Sequence, residues 1–299
     1  MNRVAIIAAM PGELKPLVRG WRHECRNGVD LWSWRFDEGE WVAACAGAGA
    51  DAATRAFAEV ETTDPISMII STGWAGALSG EFESGLVYRV SGVIDARTGE
   101  RFRTSYFAEG AGGLKGHGFS RAVETQNTEA ALAAEGTPEE MRTLPQGLKP
   151  RNSYLSAIGT AEAVPFQNEC WLVTSVRVAD VPEKRRLAST YEAALVDMEA
   201  SAVARLAQMR GIPFYCVKGV SDGYRDQLPD FNRFILPNGK FQLGRFIVFC
   251  FLRPWYWLSL IRMGENSRKA AQGIRESLLD LMDERGYRRE RNGDPDKRR

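Results

Sequence analysis

Three short stretches set carboxylates directly after apolar runs, where they can do acid–base work. Glu13 comes just past the run at residues 4–9, after Met10, Pro11 and Gly12. Asp197 and Glu199 flank Met198 immediately before an Ala- and Val-rich run at 200–209. Asp222 follows Ser221 at the end of the run 214–220. If these runs are strands of an open α/β sheet, Glu13 and Asp222 sit at carboxyl ends, outside which such sheets bind ligands. Carboxylates there can activate water, protonate a leaving group or accept bonds from hydroxyl groups. Each also has a plainer structural reading. Glu13 suits the positive end of a helix dipole, Asp197 and Glu199 suit an N-cap followed by a first-turn acid, and Asp222 suits an Asx turn. Asp197 and Glu199 lie two residues apart and cannot both point into one cleft, so one of them is expected to be structural.

Small residues supply a second kind of signal. Gly47, Gly49 and Ala52 fit G-x-G-x-x-A between a strand-like and a helix-like run. A dinucleotide fingerprint would follow the first strand, with an acid about 20 residues on. Here the glycines follow the third run and no such acid is present, so a tight turn presenting a small ligand to a helix N-terminus is the better reading. A second Gly-rich turn runs from Ser71 through Thr72, Gly73, Trp74, Ala75 and Gly76, where a ligand can lie against the backbone. Ordinary close packing accounts for it equally well.

The elements that must position these residues are legible as short β-branched runs at 4–9, 29–36, 41–46, 67–72, 86–94, 171–176 and 214–220. Helix-like runs stand at 50–60 and 200–209, the latter stopped by Gly211 and Pro213. Alternating strands and helices predict a three-layer α/β/α fold around a largely parallel sheet. The alternating run 29–36 and its short turn into 41–46 predict an antiparallel hairpin, so the sheet is mixed. Residues 97–156, with Pro138, Pro145, Pro150 and clustered glycines, break the pattern and predict a flexible insertion. The polar tail 286–299 is expected to be disordered. What remains suits a single α/β domain within residues 1–285.

Composition excludes several classes. The chain has 299 residues, with 39 Lys and Arg against 38 Asp and Glu, so no global field draws it to nucleic acid. Five scattered cysteines without a C-x-x-C pair argue against a disulfide framework or a cysteine zinc site and favour a reducing cytoplasm. With only His23 and His117, a histidine metal centre or a histidine-driven triad is also excluded, and neither metal nor cofactor is expected. The N-terminal apolar run is one strand long and does not read as a signal peptide.

Taken together, the motifs resemble the nucleoside phosphorylase superfamily, most closely its methylthioadenosine/adenosylhomocysteine nucleosidase branch. The opening strand with Met10 and Glu13, the turn at Gly47 and Gly49, the strand end at 71–76, the Met198-Glu199-Ala200 triplet and the Ser221-Asp222 pair occur in that family's order. The resemblance covers about residues 1–96 and 165–235. It implies hydrolysis of the N-glycosidic bond of a purine nucleoside that carries a 5′ substituent, by a homo-oligomer, expected to be a dimer. Glu13 would deprotonate the attacking water, Asp222 would donate to the purine, and Glu199 would hold the ribose hydroxyls with Met198 against the sugar. Gly47, Gly49, Trp74, Ala75, Gly76 and Ser221 would complete the substrate site. Cleavage passes through an oxocarbenium-like centre, so leaving-group protonation and water activation each help. Asp222 would need an enclosed site that keeps it protonated.

The chain also departs from that pattern. Pro11 and Gly12 replace acidic residues, Trp74 stands where a small or polar residue is usual, and residues 175–180 lack the stacking aromatic. Phosphorolysis is the close rival. It needs an arginine-lined anion cradle, for which only Arg55 and Arg89 offer themselves, and both read as surface charges. A non-catalytic nucleoside-binding protein is the reading from another class.

Residues 243–262 are apolar and aromatic, interrupted at Arg253 and Pro254. The run is too short to cross about 30 Å of hydrocarbon as one helix. It reads either as a buried helix pair or subunit interface, or as a segment lying on the inner face of a membrane, flanked by arginines and tryptophans. The membrane reading brings with it a lipid-linked nucleoside of the adenosyl-hopane kind as alternative substrate. Phe231 and Phe234 are candidates to close over the base or the 5′ group, with plain core packing as the simpler account.

Overall fold

The computed structural model describes residues 2–36, 39–62, 65–106 and 169–284. The first strand, β1 (Asn2–Ala8), shows the organising principle. Its Ala5 and Ile7 join one core with Ala52, Ala53, Ala56, Phe57 and Val60 of α2 (Ala50–Glu61). Its Val4, Ile6 and Ala8 face the opposite core, on the other side of the sheet. Side chains alternate faces along a strand, so a strand apolar at every position must be covered on both sides. That requirement produces the expected three layers.

The sheet is mixed. β1 pairs in parallel with β4 (Gly39–Cys45) and β5 (Met68–Ala77), and β5 pairs in parallel with β11 (Phe214–Asp222). The predicted hairpin forms: β3 (Val29–Phe36) lies antiparallel to β4, and β2 (Arg22–Arg26) extends it on β3's other side. The run expected as one strand over 86–94 is two. β6 (Val87–Arg89) is antiparallel to β11, and β7 (Gly92–Asp95) is parallel to β9 (Trp171–Thr174). Between them, Ser91 accepts the Cys170 N–H at 3.0 Å through its side chain, and the chain passes from one partner to another. β10 (Leu195–Asp197) joins β9 to the end of β5.

The first residues of the insertion expected over 97–156 are part of the sheet domain. Residues Arg101–Arg103 form β8, a hairpin partner of β7 whose Phe102 is buried. The rest of that expectation, and the expected disordered tail, lie outside the described residues.

Helices α4 (Ala200–Arg210) and α2 cover one face, while α1 (Pro11–Leu14) and α6 (Trp257–Glu284) pack on the other. α6 continues well past the expected end at 262. Its stripe Ala270, Ala271, Ile274, Leu278, Leu281 and Met282 recurs every three or four residues and is buried. A further helix, α3 (Val181–Tyr191), is N-capped by Asp180, whose carboxylate accepts the Glu183 N–H at 2.9 Å. α5 (Leu243–Phe251) precedes α6 and buries no residue fully.

Candidate active site

The backbone itself grips Glu13. Its Oε2 accepts N–H bonds from Ala9 and Met10, and its Oε1 accepts one from Trp74, all at 2.9 Å. Gly73 lies against this carboxyl with φ +124°, and a Cβ there would come within 2.8 Å of it. Only glycine allows the strand end to come so close in that conformation. Burial raises the Glu13 carboxyl above the ordinary carboxylate range, against the pull of its N–H donors and of Lys218.

Glu199, at the head of α4, accepts the Gly49 N–H at 2.6 Å and the Met198 N–H at 3.2 Å. Burial, and next the charge of Asp197, push its carboxyl up to about 8, so it carries a proton at neutral pH. Asp197 is the structural member of the pair. It accepts from Thr174 Oγ1 at 2.8 Å and from the Ala200 N–H at 3.0 Å, and it pairs with Lys218 at 2.8 Å. Burial alone would lower the Lys218 ammonium, but the charge of Asp197 is the largest influence in the opposite direction, and the net shift is upward, so it stays charged. Lys218 therefore sits among the three buried carboxyl groups of Glu13, Asp197 and Glu199.

Asp222 meets a different environment from the one expected. Its Oδ1 accepts from Ser221 Oγ at 2.6 Å, and its Oδ2 is paired with the ammonium of Lys184. Lys184 is buried and also donates to the Gly223 carbonyl at 2.7 Å. The counter-charge comes from α3, which brings this lysine to the carboxyl group. Lys184 is the residue that the sequence reading missed. Its only local signal is a lysine one turn after Asp180-Val181-Pro182, a sound helix start.

Glu13, Glu199 and Asp222 line one cavity of about 350 Å³, together with Met198, Trp74 and Phe231. Ala75, Gly76 and Ser221 line it as well. Residues 177–179 form part of its wall without an aromatic ring, and the Asn232 side chain fixes their backbone through bonds of 2.9 and 3.0 Å to Val178.

Three expected contacts fall elsewhere. A Cβ on Gly47 would lie 2.5 Å from the Gly239 carbonyl oxygen, so this glycine serves the approach of two backbones, and it is not part of the cavity lining. Gly49 acts through its N–H on Glu199 and is not part of the cavity lining. Phe234 is buried among Phe241, Phe246 and Phe249, as core. Two departures from the family pattern turn out to be one. A Cβ on Gly12 would stand 3.1 Å from the Trp74 ring, so the small residue makes room for the large one.

Past Trp74, Phe231, Leu243, Phe246 and Met263 lies a larger groove of about 1220 Å³ that shares these residues with the first cavity. Lys15, Arg19, Arg268 and Arg275 also line it. Among the described residues no cluster of His, Cys, Asp and Glu could hold a metal ion.

The architecture is that of known nucleoside-cleaving enzymes. A methylthioadenosine nucleosidase variant from Helicobacter pylori, solved with 5′-methylthioadenosine, superposes with a TM-score of 0.58 at 13% identity, over 95% of this chain and 99% of that one. Futalosine hydrolase from the same organism gives 0.58 at 13% identity, over 95% and 98%. The S-adenosylhomocysteine nucleosidase of Streptococcus pyogenes, in complex with 5-methylthiotubericidin, gives 0.55 at 16% identity, over 94% and 97%. A search of curated protein sequences returns no significant match. The profile of the Phosphorylase superfamily matches residues 3–238, and the chain belongs to that family. It is the family, and the kind of enzyme, that the sequence motifs resemble.

Proposed function

We propose that this protein hydrolyses the N-glycosidic bond of a purine nucleoside with a 5′ substituent and releases the free base. One observation carries the reading: Glu13, Glu199 and Asp222, from three distant parts of the chain, line a single cavity. Its size falls at the lower end of small-molecule sites. In the proposed reaction, Glu13 takes a proton from the attacking water. Its carboxyl is held rigidly by three N–H bonds, and burial makes it a better base than a solvated carboxylate. Glu199, protonated at neutral pH, donates to a ribose hydroxyl oxygen, and Met198 packs against the sugar. As the bond to the base breaks, its electron pair goes to the ring system. A proton passes from the Lys184 ammonium through the Asp222 carboxyl group to a ring nitrogen, and the lysine regains a proton from solvent once the products leave. Water adds to the sugar carbon, and the proton it loses remains with Glu13 until the products leave.

Water is favoured over phosphate because the two candidate arginines are engaged elsewhere. Arg55 donates to the carbonyls of Ala46 and Asn238, at 3.3 and 2.7 Å, and Arg89 pairs with Glu284 at 2.8 Å. The test is release of adenine from 5′-methylthioadenosine in phosphate-free buffer. Expected is turnover that added phosphate does not accelerate. Turnover that requires phosphate would make the enzyme a phosphorylase, and saturable binding without base release would make it a binding protein.

The groove favours a second reading of the 5′ group. Leu243, Phe246, Leu260 and Met263 give the adjoining groove an apolar wall next to the nucleoside cavity, which suits a lipid-linked nucleoside. Adenosine with a long 5′-alkyl chain should then show a higher kcat/KM than methylthioadenosine. A lower value returns the assignment to small 5′ groups.

A further inference from the structure

Helix α5 is apolar around its circumference except at Arg245, yet only one side is packed. Phe246 and Phe249 point into a cluster with Phe231, Phe234 and Phe241. On the other side Leu243, Ile247, Val248, Phe251 and Leu252 are each more than half exposed. The corner that follows continues the patch with Trp255, Leu258 and Ile261, at 69%, 69% and 59% exposure. Isolated exposed apolar residues are ordinary, but a contiguous patch of this kind marks an interaction surface.

The corner is well held. The Trp257 indole donates to the Cys250 carbonyl at 2.8 Å, and the Arg253 guanidinium lies 3.9 Å above the Phe249 ring. The two helical arms bend by 105° at this point, and no single helix among the described residues is long and apolar enough to cross a membrane. The α5 arm spans about 14 Å, half the hydrocarbon thickness.

The charges decide which partner fits. From residue 231 to 264 there is no Asp or Glu, while Arg233, Lys240, Arg245, Arg253 and Arg262 are all cationic. A second copy meeting this patch about a two-fold axis would set arginines against arginines with no carboxylate to pair them. An anionic lipid surface supplies counter-charges to Arg245 and Arg262, whereas Arg233 already pairs with Asp230 at 3.1 Å. Trp255, Tyr256 and Trp257 are the residue types that settle at headgroup depth.

We propose that the α5–α6 corner docks on the surface of an anionic lipid bilayer, inserting its apolar side chains to headgroup depth without crossing. Co-sedimentation of the full chain with vesicles tests this, using phosphatidylcholine alone and phosphatidylcholine with phosphatidylglycerol. Expected is binding to the anionic vesicles that weakens as salt is raised. The triple variant Phe251→Ser, Trp255→Ser, Leu258→Ser should bind roughly tenfold more weakly. So should Arg245→Glu with Arg262→Glu. Circular dichroism melting checks that the variants fold, and none of these residues lines the cavity. Failure to bind either vesicle would overturn the proposal. So would light scattering that shows a dimer which the triple variant converts to monomers. Adenine release, measured in parallel without vesicles, reports on the nucleosidase reading separately.

Discussion

At the scale of single residues, the site is a problem in placing charge. Glu199 illustrates it. Its carboxyl rises from 4.5 to about 8 on folding, because it is buried beside Asp197. Between those values the folded chain holds a proton that the unfolded chain has lost. The associated stability is fully present below about 4.5 and is lost as pH rises through about 8. Glu199→Gln should therefore flatten the decline of Tm between mildly acidic and mildly alkaline pH. An unchanged slope would place the proton on another group. Lys184 makes a sharper prediction. If it feeds the departing base through Asp222, Lys184→Met should lower kcat on a purine nucleoside by ~10²–10³-fold. A 4-nitrophenyl riboside, whose leaving group needs no proton, should be largely spared. Equal losses on both substrates would reduce Lys184 to a structural partner of Asp222.

At the scale of elements, α1 and the end of β5 form one device. Glu13 on α1 reaches the backbone of β5 at Trp74, Gly73 opens the space for it, and the Trp74 indole then donates to the Ser267 carbonyl of α6 at 3.0 Å. Gly73→Ala should cost stability and kcat together, since the added methyl meets the Glu13 carboxyl and glycine alone suits the backbone there. The Gly12–Trp74 contact predicts coupling between α1 and β5. Gly12→Glu should be harmful with Trp74 present and tolerated beside Trp74→Ala. A double-mutant cycle should give an interaction energy of about 0.5–3 kcal/mol, as for residues in contact. An energy near zero would mean that the two departures from the family pattern are unrelated. These elements were partly legible in advance. The hairpin of β3 and β4 announced itself by alternation, and α4 by its Gly-Pro stop. α3 has only four apolar residues of eleven, Val181, Leu187, Ala188 and Tyr191, and two of its residues are buried, so its periodicity was weak. α6 carried a clear stripe over 270–282 that a reading ended at Arg262 could not use.

At the scale of the whole molecule, the cavity closes only because the sheet joins the two ends of the chain. β5 stands between β1 and β11, so Glu13 after β1 and Asp222 on β11 come to the same end of the sheet, and β10 brings Glu199 there as well. A ligand filling that cavity binds the folded chain alone. Saturating a 5′-substituted adenosine analogue that is not cleaved, at about a hundred times its Kd, should therefore stabilise the fold by ~2.7 kcal/mol. A Tm that stays constant across a series of 5′ groups would count against a nucleoside ligand.

The sequence alone determined the layered α/β architecture, the mixed sheet, the family and the three carboxylates. These are written in local patterns: an apolar strand needs cover on both faces, and an acid just past a strand lies where ligands bind. Tertiary structure alone decided what surrounds those acids. Lys184 reaches Asp222 from α3, 38 residues away, and Gly49 reaches Glu199 across 150. Such partners share no sequence neighbourhood, and the protonation of a carboxyl group follows from whichever charges and donors the fold packs against it.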